Sequence, residues 1–214
     1  MGDVAVDLVV PVKSLRLAKS RLRGAVGPDR HAGLVLAVLT DTVTAAASAE
    51  GVRRVLVVSS DPAVAARMAA EGIECVPEGS SHGLNAAFRH GADLLRSRDP
   101  GGQVGALQAD LPALRPAELG VALEAAAEFD QSFMPDALDV GTTFYGVRPG
   151  MPFTPRFGGE SRAKHLAGGA KELCVPGVDS VRRDVDTPDD LRAAVALGLG
   201  RHTAAVVAEL WPPS

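Results

Sequence analysis

Three short apolar runs, Val6–Val12, Val55–Val58 and Val104–Leu107, are each followed by a stretch of helical character, and that alternation leaves few folds open to the chain. Runs of this length without polar alternation read as strands buried on both faces, as in a parallel sheet covered by helices. Asp29 to Glu50 reads as a long helix stopped at Gly51. Asp61 caps a helix that starts at Pro62 and closes near Gly72, and residues 84–96 and 116–128 read as two more, the second opened by Pro116. Strand-then-helix order implies right-handed crossovers, so the expected fold is α/β: Rossmann-like, doubly wound, three layers α/β/α around a mostly parallel mixed sheet.

The second half is less regular. Gln131–Met134, Thr142–Arg148 and Leu173–Val175 are candidate strands, whereas Gly150 to Gly159 has no periodicity and reads as an active-site loop. Thr187 caps a helix with Pro188 at its first position and Asp189 and Asp190 at the positive end of the dipole. Arg201 to Trp211 could form an amphipathic helix that caps the sheet or joins a homodimer.

Across 214 residues no linker divides the composition, so one domain, 1–214, is expected. With 46% hydrophobic but only 4% aromatic residues, the core must be built from Ala, Val and Leu. A net charge of −4, with Lys and Arg interleaved among acids, argues against a nucleic-acid partner. Cys75 and Cys174 have neither metal-ligand spacing nor the density of a disulfide framework, which reads as reduced thiols. The start MGDVAVDL is acidic where a signal peptide is basic, and no apolar run approaches the ~20 residues of a membrane span, so a cytoplasmic location is expected and no membrane partner.

Chemistry concentrates in a few segments. In VVPVKSLRLAKSRLRG, residues 9–24, a strand breaks at Pro11 into a segment carrying Lys13, Lys19 and Arg21, which reads either as a polyphosphate site or as a solvated basic helix start. LQADLPAL, residues 107–114, delivers Gln108 and Asp110 at the carboxyl end of a buried strand, where one carboxylate could share a Mg²⁺ with substrate phosphates or could merely cap a turn. In RRDVDTPDDL, Asp184 and Asp186 point the same way if the segment is extended, and Asp184 is the better second ligand because Asp186 adjoins the Thr187 cap.

Gly141-Thr142-Thr143 and RFGGES, with Gly158, Gly159 and Ser161 ahead of the helical SRAKHL, could form an anion site for a small phosphorylated acid, or an ordinary glycine turn with Ser161 as cap. Arg156, Arg162, Lys164 and His165 read as exposed, although Arg156 could pair with an acidic substrate. Asn85 in GLNAAF could read a base or ribose edge or cap a helix; His82 beside it reads as a loop residue. GxGxxG after the first strand, a Walker A loop and HExxH are all absent, which removes dehydrogenase, P-loop and zinc-protease readings.

VVPVKSLRLAKSRL, GLNAAF, LQADLPAL, GTT, RFGGES and DVDTPDDL, in that order along nearly the whole chain, resemble the CofC/FbiD family of coenzyme F420 biosynthesis. The resemblance implies a nucleotidyltransferase fold of the nucleotide-diphospho-sugar transferase type and GMP transfer from GTP to phosphoenolpyruvate, releasing pyrophosphate and enolpyruvoyl-2-diphospho-5′-guanosine. The same chemistry on 2-phospho-L-lactate, 3-phosphoglycerate or another acceptor is the alternative, and a non-catalytic nucleotide binder is the remaining one. The product would pass to the next enzyme of the F420 pathway. The resemblance further implies Mg²⁺ on Asp110 and Asp184, with Asp186 as neighbour, phosphoenolpyruvate on Thr142, Gly158 and Ser161, and GTP near Lys13, Lys19, Arg21, Asn85 and Gln108. Ala109 stands where relatives often have Gly, and Pro11-Val12-Lys13 replaces the Gly-rich loop of more distant nucleotidyltransferases.

Overall fold

A computed structural model describes residues 5–15, 22 and 28–211. Its strands are β1 (Val6–Pro11), β2 (Val52–Val58), β3 (Glu74–Val76), β4 (Gln103–Leu107), β5 (Gln131–Pro135), β6 (Thr142–Val147) and β7 (Lys171–Glu172). The helices are α1 (Pro28–Ala47), α2 (Pro62–Ala70), α3 (Leu84–Arg98), α4 (Pro116–Ala126), α5 (Ser161–Ala167), α6 (Asp179–Arg182), α7 (Pro188–Leu197) and α8 (Arg201–Leu210). The strands form one sheet in the order β3-β2-β1-β4-β6-β5-β7, in which β6 alone runs against the rest.

Strand periodicity sorts the core into two layers. Leu8 and Val10 of β1 pack with Leu39 and Val43 of α1, Met68 of α2 and Leu123 of α4. Val9, between them, points to the other face and joins Phe88 and Leu95 of α3 with Phe133 and Tyr145. α3 comes so close that a Cβ on Gly91 would lie 2.5 Å from Val9 Cγ1, so any side chain here would force the buried Val9 to shift. No helix among the described residues is long and apolar enough to cross a membrane.

The helix starts follow local chemistry. Asp61 accepts from the Ala63 amide at 3.0 Å, ahead of Pro62. At α7 the Thr187 hydroxyl accepts from the Asp190 amide at 3.2 Å while the Asp190 carboxylate accepts from the Thr187 amide at 2.8 Å, a reciprocal capping box.

Three expectations change. The seventh strand is Lys171–Glu172 and not Leu173–Val175, because only these two residues pair with β5 before the Pro176-Gly177 turn; Leu173 adds one amide bond to Phe133, at 2.9 Å. A short polar strand also suits an exposed sheet edge. β3 and α6 went unread, being too short to show a period. The C-terminal helix does not cap the sheet: α8 packs on α1, with Val207 beside Leu34 and Val38. Asp41 of α1, buried, satisfies the first amides of α8, accepting from His202 at 3.1 Å and Thr203 at 2.6 Å.

Candidate active site

The chain runs β1, β2, β3 outward on one side and then returns to place β4 on the other side of β1. The carboxyl ends of β1 and β4 therefore diverge, and a crevice opens at that switch. It holds a cavity of about 330 Å³, walled by residues 11–13 after β1, 108–110 after β4 and 184–186 before α7. Acids more than seventy positions apart in sequence thus meet the Lys13 segment across one cleft, as the sequence predicts.

Each wall has a local cause. Pro11 lacks an amide hydrogen and ends β1, although Val12 still donates to the Val58 carbonyl at 3.0 Å. Three residues on, the Leu15 amide donates to Asp61 Oδ2 at 3.0 Å, so the carboxylate that caps α2 also tethers the Lys13 segment. The Leu15 amide, with those of Ala63 and Val64, holds Asp61 below the usual carboxylate range against the opposing effect of burial. Lys13 itself is exposed at the cavity. Lys19 and Arg21 lie outside the described residues.

After β4, Gln108 donates its amide to the Thr143 carbonyl at 2.9 Å and Leu111 donates to Thr42 Oγ1 at 3.0 Å, which pins Asp110 between two fixed amides. The Asp110 carbonyl in turn accepts from the Val185 amide at 3.0 Å. That single bond splices the Asp184 segment to the end of β4. The segment is extended: Val185 is buried, Asp184 half-buried and Asp186 exposed, the alternation of a strand without a partner ladder. Capping of α7 is carried by Thr187 and Asp190, so both Asp184 and Asp186 stand on the cavity wall. Among the described residues no group of three or more His, Cys, Asp or Glu is arranged to hold a metal unaided. One or two carboxylates beside room for phosphate oxygens is the donor set that suits Mg²⁺, which keeps few protein ligands.

The second group of expected residues lies on the same edge of the sheet, beside the cavity rather than in its wall. β6 enters there antiparallel, and its first turn of pairing is irregular: Met134 pairs with Phe144 but Pro135 pairs with Thr142, leaving Thr143 as an extra residue. A bulge reverses the side to which the preceding residue points. Thr142 is accordingly turned to the α5 side, where its Oγ1 lies 3.0 Å from His165 Nδ1. The structure brings Thr142 and Ser161, both buried, and the Gly158 loop together around this histidine. Ser161 is the first helical residue of α5 rather than its cap. Gly158, at φ +95°, offers its carbonyl to Lys164 Nζ at 2.7 Å.

One reading is corrected here. His165 is not exposed: it is 1% accessible and stacks between Tyr145, at 4.9 Å between ring centres, and Phe133, at 5.4 Å. Nothing in the sequence signals this, because α5 has seven residues, too few for a readable apolar face. Asn85 has both ends of its amide engaged within the fold. It donates from Nδ2 to the Phe157 carbonyl at 3.0 Å and accepts from the Phe157 amide at Oδ1, 2.8 Å, clamping the 151–160 loop to the start of α3. Arg162 is half-buried in a two-pronged pair with Glu172, at 2.9 and 3.1 Å, whereas Arg156 and Lys164 are exposed as expected.

Burial first, then the charges of Arg156 and Lys164, push the His165 pKa down to about 4, against the favourable pull of the Ser161 carbonyl. The unfolded chain therefore takes up a proton near pH 6.5 that the fold refuses until about pH 4, so stability is lost as pH falls through that window. Thermal midpoints measured from pH 7 to 4 should show this slope, and His165→Gln should remove its share of it.

A profile described as "Guanylyl transferase CofC like" matches residues 6–210. The phosphoenolpyruvate guanylyltransferase of Streptosporangium roseum is 62% identical over 200 residues, covering 94% of this chain and 89% of that protein. The protein of the same name from Thermomonospora curvata is 57% identical, covering 98% and 91%. In three dimensions the chain is similar to a crystal structure from Desulfovibrio desulfuricans G20 assigned as a nucleotide-diphospho-sugar transferase, with a TM-score of 0.66 at 18% identity, covering 96% of this chain and 97% of that one. The fold is thus the nucleotidyltransferase α/β/α fold expected from the sequence.

Proposed function

The chain belongs to the CofC-like guanylyl transferase family, and from that premise we propose that it joins GMP from GTP to phosphoenolpyruvate at the crevice between β1 and β4. It is a nucleotidyltransferase, and guanylyl transfer is the activity its family and its named relatives share. The observation that carries the reading is the Val185-to-Asp110 backbone bond, which brings Asp110 and Asp184 to one cavity facing Lys13.

The acceptor phosphate is anionic at neutral pH, so attack on the α-phosphorus needs no general base. The oxygen–phosphorus bond to pyrophosphate breaks as the new diphosphate forms. What the protein must supply is alignment of two polyanions and relief of their repulsion. Lys13, with Lys19 and Arg21 further along the sequence, would offset the triphosphate, and Gln108, half-buried in the wall, would bond it. Asp110 and Asp184, with Asp186 beside them, would hold Mg²⁺, which would supply positive charge to offset the repulsion between the phosphates. The donor set fits: a rigid buried carboxylate, a half-buried second one, and space left for phosphate oxygens. Thr142, Gly158 and Ser161 would hold the acceptor on the neighbouring stretch of the same sheet edge, and the diphosphate product would pass to the next enzyme of coenzyme F420 synthesis.

Radiolabelled GTP with Mg²⁺ and, separately, phosphoenolpyruvate, 2-phospho-L-lactate and 3-phosphoglycerate should yield a labelled adduct and pyrophosphate fastest with phosphoenolpyruvate. Preference for either other acid would reassign the acceptor. Absence of pyrophosphate with all three would defeat the transferase reading for these acids.

A further inference from the structure

His165 is buried and has no part in the chemistry described above. It touches three separate segments: Thr142 at the start of β6, Arg156 in the irregular loop, and Ser161 in its own helix. Its ring is wedged among Phe133, Tyr145 and Phe157, the last edge-on at 5.3 Å. Such packing leaves the imidazole little freedom to rotate or flip.

The hydrogen bonds then settle where its proton sits. The Arg156 amide donates to Nε2 at 3.0 Å, so Nε2 carries the lone pair. A neutral imidazole has one N–H, and it must be on Nδ1. The Ser161 carbonyl, which also faces the ring, can only accept and agrees with that tautomer. Thr142 Oγ1, 3.0 Å from Nδ1, is therefore an acceptor toward His165. A hydroxyl that accepts in this way keeps its own hydrogen for another partner, and among the described residues no acceptor is bonded to it.

We propose that His165 is a positioning residue for the acceptor substrate: by donating from Nδ1 to Thr142 Oγ1 it turns the Thr142 hydroxyl hydrogen toward an anionic oxygen of the incoming phosphorylated acid. Held by Nε2, the Arg156–Gly159 loop is fixed in the same act, so the hydroxyl and the loop are set by one ring. The inference rests on the reading that Thr142 binds the acceptor.

The two nitrogens can be separated by mutation. Gln at position 165 retains an acceptor near the Nε2 place for the Arg156 amide but no donor near Nδ1, whereas Asn offers a donor near Nδ1 and nothing at Nε2. Initial rates with phosphoenolpyruvate and GTP varied in turn should show Thr142→Val and His165→Gln each raising KM for phosphoenolpyruvate about tenfold, the size of one hydrogen bond to a charged group, with KM for GTP within about twofold. The double variant should be no worse than the weaker single, because both remove one interaction. His165→Asn should stay within about threefold of the parent. A multiplicative loss of about a hundredfold in the double variant, or equal rises in both KM values with His165→Gln, would overturn the proposal and leave His165 a packing residue. The parent enzyme's own rate with phosphoenolpyruvate reports separately on the acceptor reading, and if another acid is preferred the same cycle is run with that acid.

Discussion

Asp110→Asn should lower pyrophosphate release from GTP and phosphoenolpyruvate by about a thousandfold or more, with the thermal midpoint within about 3 °C of the parent. The substitution keeps the shape of a side chain that is 6% accessible, and the bonds that place it run through the backbone: the Asp110 carbonyl accepts from Val185, and its neighbours Gln108 and Leu111 are tied to Thr143 and Thr42. What it removes is one negative charge from the wall of the cavity. On the proposed reading Asp110 would help to hold a divalent cation, and misplacing a metal's charge costs several kcal/mol of transition-state stabilisation. Steady-state pyrophosphate assays beside a melting curve check both halves of the expectation. Near-parental turnover would remove Asp110 from the chemistry.

A large effect on stability is expected at the opposite end of the neighbouring strand, β1. Asp7 in β1 is 1% accessible, and its carboxylate accepts from Arg53 Nε at 2.8 Å and Nη2 at 2.7 Å. Arg53 reaches it because β2 carries an extra residue there: Val6 pairs with Val52, but Asp7 pairs with Arg54. Asp7 and then Asp99, which also binds the guanidinium, hold the Arg53 charge well above its usual pKa. Arg53→Met would leave a buried carboxylate uncompensated, which costs about 3–5 kcal/mol. For a chain of this length that is a fall of roughly 10 °C in the melting midpoint. Replacing Asp7 by Leu in the same variant should recover most of the loss, since apolar packing can stand in for a buried pair. Because the pair sits near the amino end of β1 and the cavity at its carboxyl end, the folded fraction of Arg53→Met should turn over normally. A melting curve unchanged by Arg53→Met would show that water reaches Asp7.

The relation of chain to fold differs between the two halves. In the first, β1, β2 and β4 are largely apolar runs between turn formers, and α2 has a cap and a proline that local sequence displays, Asp61-Pro62. Such signals act within a few residues, so they are legible without the fold. In the second half the elements are short, β7 having two residues and α6 four, and they persist because neighbours hold them. No period can be seen over that length. The same division runs through the site. Asp110 and Asp184 stand out as acids at the exits of apolar segments, but the bonds of Asn85 are not legible in the sequence, because its partner, the Phe157 backbone, is 72 residues away.

By itself the sequence determined the α/β class, the helix starts, the carboxylates at the strand exits and the family, because each of these is written in short-range pattern or in motifs kept in order. Tertiary structure alone decided that Asp184 is spliced to β4 by one backbone bond, that a bulge at Thr143 turns Thr142 toward α5, that α8 packs on α1, and that His165 is buried with the Arg156 amide at its Nε2. The reason is physical: pairing register, packing against a distant helix and the contacts of a ring depend on which groups meet across the fold, and chain-local propensity holds no record of those meetings.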